Sequence, residues 1–312
     1  MQSHYDAPAR GPANHVALSP LSFLARAEAV YARRPATSFG GLTRTWAETG
    51  ARVRAVAAGL RAQGIGLGDT VSVLSSNRPE LLELHYAVPL AGAVLNTINT
   101  RLEVETVAYI LAHSDCRLVL VEAALRPLAE AGMAQNGVAL PVIEIGGDSE
   151  GNYETLAATA PMGWEMPADE WQALALNYTS GTSGRPKGVI YHHRGAYLMS
   201  LGTIAGWSLP AHPVYMSVVP MFHCNGWNHP WAMAIIGGQV IFPADSRPET
   251  LLAAIRAHGV THFGAAPVIL QMLCDAPGQA PLSPPVHALT AGAPPPPAVL
   301  EKAARLGIEV MQ

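Results

Sequence analysis

Between residues 178 and 188 the chain reads Tyr178-Thr179-Ser180-Gly181-Thr182-Ser183-Gly184-Arg185-Pro186-Lys187-Gly188. Three glycines, four small hydroxyl residues and one lysine fall in this one segment. An apolar, strand-like run from Leu174 to Leu176 leads in, and another from Val189 to Tyr191 leads out. Glycines let a backbone turn its N–H groups toward a bound anion, and short hydroxyls add donors. Lys187 supplies a compact positive charge. That chemistry suits a polyphosphate. The spacing is not that of the common P-loop, whose lysine is followed by Ser or Thr; here Gly188 follows Lys187. A flexible Gly/Ser linker is the alternative, but linkers rarely carry such an ordered series between apolar strands.

The 312 residues suffice for one large or two ordinary domains. Hydrophobic residues make up 49% and charged ones 13%, which leaves material for a substantial core. The net charge is −4 with no basic patch, so nucleic acid is not an expected partner. Cys116, Cys224 and Cys274 are far apart, which favours reduced thiols in a cytoplasm and offers no metal spacing. The polar stretch Met1 to His15 lacks the layout of a secretory signal, and no apolar run approaches a membrane span.

Short apolar strands alternate with amphipathic helices, the pattern of a parallel α/β sheet. Ser19-Pro20 predicts a helix start, with Ser19 as cap. Thr45 and Glu48 predict a capping box for a helix that buries Val53, Val56, Ala57 and Leu60 and ends at Gly64. Strands are predicted at Thr70–Leu74, Ala93–Asn96, Arg117–Val121, Val142–Ile145 and Ala175–Asn177. Helices are predicted at Pro79–Leu90, Glu103–Ala112 and Ala123–Ala134. A second series begins with a helix over Arg194–Gly206 and strands Val214–Val218 and Gln239–Phe242. Helices Pro248–His258, Val268–Leu273 and Ala298–Arg305 then alternate with strands Thr261–Gly264, Ala288–Ala291 and Ile308–Met311. Pro294 to Pro297 reads as an extended lead-in to a helix.

The glycine–hydroxyl run resembles the phosphate-binding signature of the AMP-forming adenylating enzymes: acyl-CoA synthetases, peptide-synthetase adenylation domains and luciferases. Ser183 stands where those enzymes usually have threonine. Three further segments are similar to acyl-CoA synthetases. Gly92-Ala93-Val94-Leu95-Asn96-Thr97-Ile98-Asn99-Thr100-Arg101-Leu102 looks like a structural signature. Pro220-Met221-Phe222-His223-Cys224-Asn225-Gly226-Trp227 looks like the acyl-pocket loop. Thr290-Ala291-Gly292-Ala293-Pro294 looks like the turn against adenine. The wording around Tyr191-His192-His193-Arg194-Gly195-Ala196-Tyr197 and around Trp227 is most similar to the branch handling short and medium acids, including 3-methylmercaptopropionate-CoA ligases. The resemblance implies two mostly parallel, helix-flanked sheets of an N-terminal domain. Residues 1–18 would form a flexible arm, 19–187 a first α/β subdomain ending in the phosphate loop, and 188–312 a second, truncated one.

The resemblance also implies the chemistry. A carboxylic acid is activated by ATP and Mg2+ to an acyl-adenylate, and CoA takes the acyl group. Thr179, Ser180, Thr182 and Ser183 would donate to the phosphates, Gly181 and Gly184 would let the loop approach, and Lys187 would add charge. A solvated surface lysine is the alternative for Lys187. Thr179 and His223 carry the catalytic expectation, with His223 where carboxylate meets α-phosphate; a core histidine bonded to backbone is the alternative. His223, Cys224, Asn225, Gly226 and Trp227 would line the acyl pocket, although Trp227 and Trp231 could equally be packing residues. Cys224 reads as a small apolar filler. Gly292, Ala293 and Pro294 would face adenine, or form a plain strand-ending turn. His192 and His193 are expected on opposite faces of a strand, which argues against a shared metal, and no metal ligand is expected in the segment.

The sequence stops at Gln312, where the family runs on into a Tyr-Gly-x-Thr-Glu turn, a ribose-binding aspartate and a mobile domain with the adenylation lysine. The expectation is that this polypeptide alone forms little acyl-CoA, and that its terminal apolar strand favours association into a homodimer. The competing readings are a non-catalytic nucleotide-binding fragment, an amino-acid- or aryl-acid-activating enzyme, and a kinase-like P-loop protein. Amino-acid-activating domains tend to place an aspartate in the pocket loop; His223-Cys224-Asn225 favours a plain acid.

Overall fold

A computed structural model of the chain describes residues 11, 13–146, 152–179 and 185–312. In chain order its strands are β1 (Pro35–Phe39), β2 (Leu42–Thr45), β3 (Thr70–Leu74), β4 (Val94–Thr97), β5 (Cys116–Glu122), β6 (Val142–Ile145) and β7 (Ala173–Thr179). They continue with β8 (Lys187–His192), β9 (Val214–Met216), β10 (Gln239–Ile241), β11 (His262–Gly264), β12 (Val286–Leu289) and β13 (Ile308–Met311). One sheet has the order β6-β5-β3-β4-β7-β8 and the other β13-β12-β11-β9-β10-β1-β2. Within each sheet the strands run parallel except for the edge strands β8 and β2, which turn back antiparallel on β7 and β1. The expected two-sheet, helix-flanked architecture is present.

The division at residue 187 does not follow the sheets strand for strand. β8 continues the first sheet past that point. The hairpin β1–β2 belongs to the second, because β1 pairs in parallel with β10.

Local chemistry sets the helix starts. Thr45 Oγ1 accepts from Glu48 N at 3.2 Å while Glu48 Oε2 accepts from Thr45 N at 2.7 Å, so the predicted capping box is complete. Prolines open the helices Pro79–Leu90, Pro248–His258, Pro267–Asp275 and Pro297–Leu306, where a missing N–H costs nothing. The first helix is Leu21–Val30, and its N-cap position is Pro20 rather than Ser19. Ser19 is instead buried, and its hydroxyl shares a 2.8 Å bond with His193 Nδ1.

The main core lies between the sheets. It gathers Leu24, Trp46, Val56, Leu82, Tyr86 and Trp231 with Val71 and Leu95 of the first sheet and Tyr215 and Val240 of the second. The helix Pro79–Leu90 is buried along its whole length, polar residues included. Its Glu83 accepts from Arg52 Nε and from the Tyr153 hydroxyl, each at 2.8 Å. Burial pushes the Glu83 carboxyl up, and Arg52 pulls it back. Arg52→Ala would strand that buried carboxylate, an expected loss of about 3–5 kcal/mol by urea denaturation. Arg52→Ala combined with Glu83→Leu should recover much of it, because an apolar replacement removes the desolvated charge as well.

Candidate functional site

Thr179 ends β7, and the antiparallel return of β8 places Lys187 directly opposite. The pairing brings the two rims of the intervening loop to one strand spacing. Both residues are exposed. Ser180, Gly181, Thr182, Ser183 and Gly184 lie outside the described residues. The hairpin leans on the helix Val104–His113: Tyr178 Oη shares a 2.8 Å bond with His113 Nδ1, and the Arg185 guanidinium sits 5.6 Å from the Tyr109 ring centre.

After β9 the chain leaves the second sheet and crosses the C-terminal edge of the first. Asn77, in the turn after β3, holds it there. Its Nδ2 lies 2.8 Å from Val219 O and 3.1 Å from Ser217 O, and its Oδ1 accepts from Met221 N at 2.8 Å. Asn177 in β7 donates to Thr97 Oγ1 at 2.7 Å and reaches Phe222 O at 3.5 Å. The β7–β8 hairpin and the loop carrying His223 therefore share one rim.

His223 itself is exposed. Behind it the backbone makes a left-handed turn: φ is 46° at Cys224, 49° at Asn225, 61° at Gly226, 55° at Trp227 and 61° at Asn228. A left-handed L-residue costs about 1–2 kcal/mol, so a run of four non-glycine examples must be supported from outside. Gly226 is the one residue for which that conformation is free, and a Cβ there would stand 3.1 Å from Met221 Cγ. His229 Nδ1 meets Gly226 O at 3.0 Å, and the His229 ring stacks on Tyr215 at 4.4 Å.

Cys224 is half-buried rather than packed away as filler. Its Sγ lies 3.9 Å from His223 Nε2. Burial first, and the neighbouring Cys224 thiol second, push the Tyr191 phenol up to about 12. Trp227 is half-buried against Gly264 at the end of β11, where a Cβ would come within 3.3 Å of its Cε3. Trp231, by contrast, is fully buried, with Nε1 donating to His85 O at 3.2 Å, so it is a packing residue.

Gly264 sits opposite Leu289 in the β11–β12 register. The Gly292 turn follows β12, with φ at 100° and open space around its Cα. Gly292, Ala293 and Pro294 are exposed, and the Thr290 hydroxyl beneath them is buried without a partner. The expected site residues that are described thus fall at or beyond the C-terminal ends of β7, β9 and β12, with Lys187 opening β8, along the edge where open α/β sheets bind ligands.

His192 and His193 do not share a strand. His192 ends β8, and its Nδ1 caps the next helix by accepting from Gly195 N at 2.9 Å; His193 begins that helix. Among the described residues no three His, Cys, Asp or Glu side chains converge on a metal. No described helix is long and apolar enough to cross a membrane. Two grooves, of about 460 and 360 Å3, flank β13 and touch none of Thr179, His223 or Gly292. Convergence of loops, not cavity volume, marks the site. Sequence reasoning missed Asn77 and His85. Asn77 alone had a local signal, a polar turn directly after an apolar strand.

The model of the AMP-binding enzyme family matches residues 24–312. The chain is 40% identical over 316 residues to a 2-methylpropanoate–CoA ligase of Humulus lupulus, covering 96% of this chain and 57% of that protein. It is 40% identical over 324 residues to a peroxisomal acetate/butyrate–CoA ligase of Arabidopsis thaliana, with the same 96% and 57% coverage. The inhibitor-bound N-terminal domain of FACL13 from Mycobacterium tuberculosis superposes with a TM-score of 0.84 at 28% identity, covering 94% of this chain and 74% of that one. The chain therefore spans 57% of the length of these two plant ligases.

Burial holds the His85 and His229 rings at about 4, below the ordinary histidine value. The unfolded chain then binds more protons than the folded one between about pH 6.5 and 4. Stability should be full above that window and fall as pH drops through it, by about 1.4 kcal/mol per unit for each ring. Denaturation midpoints recorded across that range check the direction, and His229→Gln should flatten the slope.

Proposed function

Since the chain belongs to the AMP-binding enzyme family, we propose that it carries the nucleotide- and acid-binding face of an acid–CoA ligase. A carboxylate oxygen attacks the α-phosphorus of ATP, the new O–P bond forms, and the bond to pyrophosphate breaks. The CoA sulfur then attacks the acyl carbon, its proton goes to solvent, and AMP leaves. The observation that carries this reading is the shared rim: Thr179 opposite Lys187, with the His223 loop laid beside them through Asn177.

The family resemblance supplies the proposed roles. Thr179, with Ser180, Gly181, Thr182, Ser183 and Gly184, would bind the β- and γ-phosphates, and Lys187 would balance their charge. His223 would donate to the carboxylate or α-phosphate as charge develops. Gly292, with open space beside it, and the exposed Ala293 and Pro294 would face adenine. Cys224, Asn225, Gly226 and Trp227 would form the acyl wall. Mg2+ would enter with the nucleotide as its counter-ion. CoA enters as co-substrate.

A short or medium acid is the proposed substrate. Trp227 against Gly264 fills space that a longer chain would need. No acidic side chain stands between His223 and Trp227, which disfavours an α-amino acid. Three free thiols support a cytoplasmic setting.

Titration calorimetry with Mg-ATP should give binding that Thr179→Val weakens about fivefold, the worth of one hydrogen bond. In a protein that joins this chain to the family's C-terminal domain, acid-dependent ATP–pyrophosphate exchange should fall about a hundredfold in His223→Ala. Absence of nucleotide heat would overturn the reading. In the same exchange run over straight-chain acids, Trp227→Ala should move the preference toward longer chains; an unmoved profile would remove Trp227 from the acyl wall.

A further inference from the structure

The left-handed turn at Cys224–Asn228 needs support from below, and His85 lies beneath it. His85 is fully buried in the middle of the helix Pro79–Leu90. Its Nδ1 is 2.7 Å from Leu81 O. A carbonyl only accepts, so Nδ1 carries the proton. The ring is neutral near pH 7, because burial has pushed it down to about 4. A neutral imidazole with Nδ1–H has a bare Nε2, which can only accept.

Asn225, at the second position of the turn, is also fully buried. Its Oδ1 and Nδ2 both lack partners, and so does His85 Nε2. The Asn225 side chain and the Met221 carbonyl are polar groups turned toward the His85 ring. Asn225 thus holds an amide N–H without an acceptor, and His85 a ring nitrogen without a donor. Buried polar groups without partners are rare enough to require a reason. The same helix also grips the chain after the turn. Tyr86 Oη donates to Pro230 O at 2.8 Å, and His85 O accepts from Trp231 Nε1.

We propose that His85 is a positioning residue: its bare Nε2 accepts from Asn225 Nδ2, and this bond fixes the left-handed turn that presents His223 and Trp227 to the acid. The presentation rests on the ligase reading; the bond does not.

Hydrogen exchange on the intact chain tests the bond. In His85→Leu the amides of residues 224–228 should exchange about tenfold faster, while the helix Pro248–His258 is unchanged. His85→Gln keeps an acceptor at the Nε2 end and should restore most of the protection. Unchanged exchange in His85→Leu, no rescue by Gln, or equal loosening of both regions would overturn the proposal. Nitrogen NMR of labelled histidine in the unmutated chain reads the same bond without a variant. An Nδ1-protonated ring is expected, and an Nε2-protonated one overturns the proposal. In acid-dependent pyrophosphate exchange by the chain joined to the family's C-terminal domain, His85→Leu should raise KM for the acid about tenfold and leave KM for ATP in place. An equal rise in both would remove the positioning role. Intact protection at 224–228 with no Mg-ATP binding heat in the unmutated protein would instead sink the ligase reading and leave the bond standing.

Discussion

Asn77 bridges the two sheets with one side chain, donating into the strand exit at Ser217 and Val219 and accepting from Met221. Each such bond is worth about 1 kcal/mol net. Burying Trp231 and Tyr86 between the sheets is worth about 4–6 kcal/mol apiece at ordinary transfer values, taken as an upper estimate. The apolar layer therefore holds the sheets together, and Asn77 decides how the chain leaves β9. A different exit would carry His223 away from Thr179 while leaving the core intact. Stability and site geometry rest on different groups.

The loop beyond that exit is built from costs that its surroundings absorb. Four non-glycine residues in left-handed backbone stand over two neutral, buried imidazoles. Neutral rings suit the place. A charged imidazole there would be desolvated without a counter-charge, since the faces around His229 are Tyr215, Trp207 and a backbone carbonyl. A neutral ring still offers one donor and one acceptor of fixed direction. It can orient a turn without drawing an acid's carboxylate into the core.

Much of the scaffold was legible because its signals are local. The box at Thr45 and Glu48, the prolines that open helices, and the apolar strands β3, β5 and β6 need only a few neighbouring residues to be read. The hairpin β1–β2 was missed although Phe39-Gly40-Gly41-Leu42 carries two positive-φ glycines, a strong turn signal. Its partner β10 lies far along the chain, so nothing nearby announces a strand. The backbone course from Cys224 to Ile236 escapes a linear reading for another reason. Its turn is left-handed and the helix His229–Ile236 is buried on most faces, so neither the helical nor the strand period registers. Motif resemblance nominates candidate site residues, but not what holds them. His85 looks like any core histidine until the unpartnered amide above it is seen.

The depth of the proposed acyl wall shows why such features escape a linear reading. Gly264 ends β11 and Trp227 follows β9, and neither is informative alone. Side by side they are constrained: a Cβ on Gly264 would meet Val219 Cγ2 at 3.1 Å and the Trp227 ring at 3.3 Å. The indole can lie against the strand only because the strand ends in glycine. Shortening the indole opens the volume from one side, whereas enlarging the glycine pushes the indole out from the other. In the proposed acyl wall, the room left for a substrate belongs to the pair, and a change at either member is felt by both.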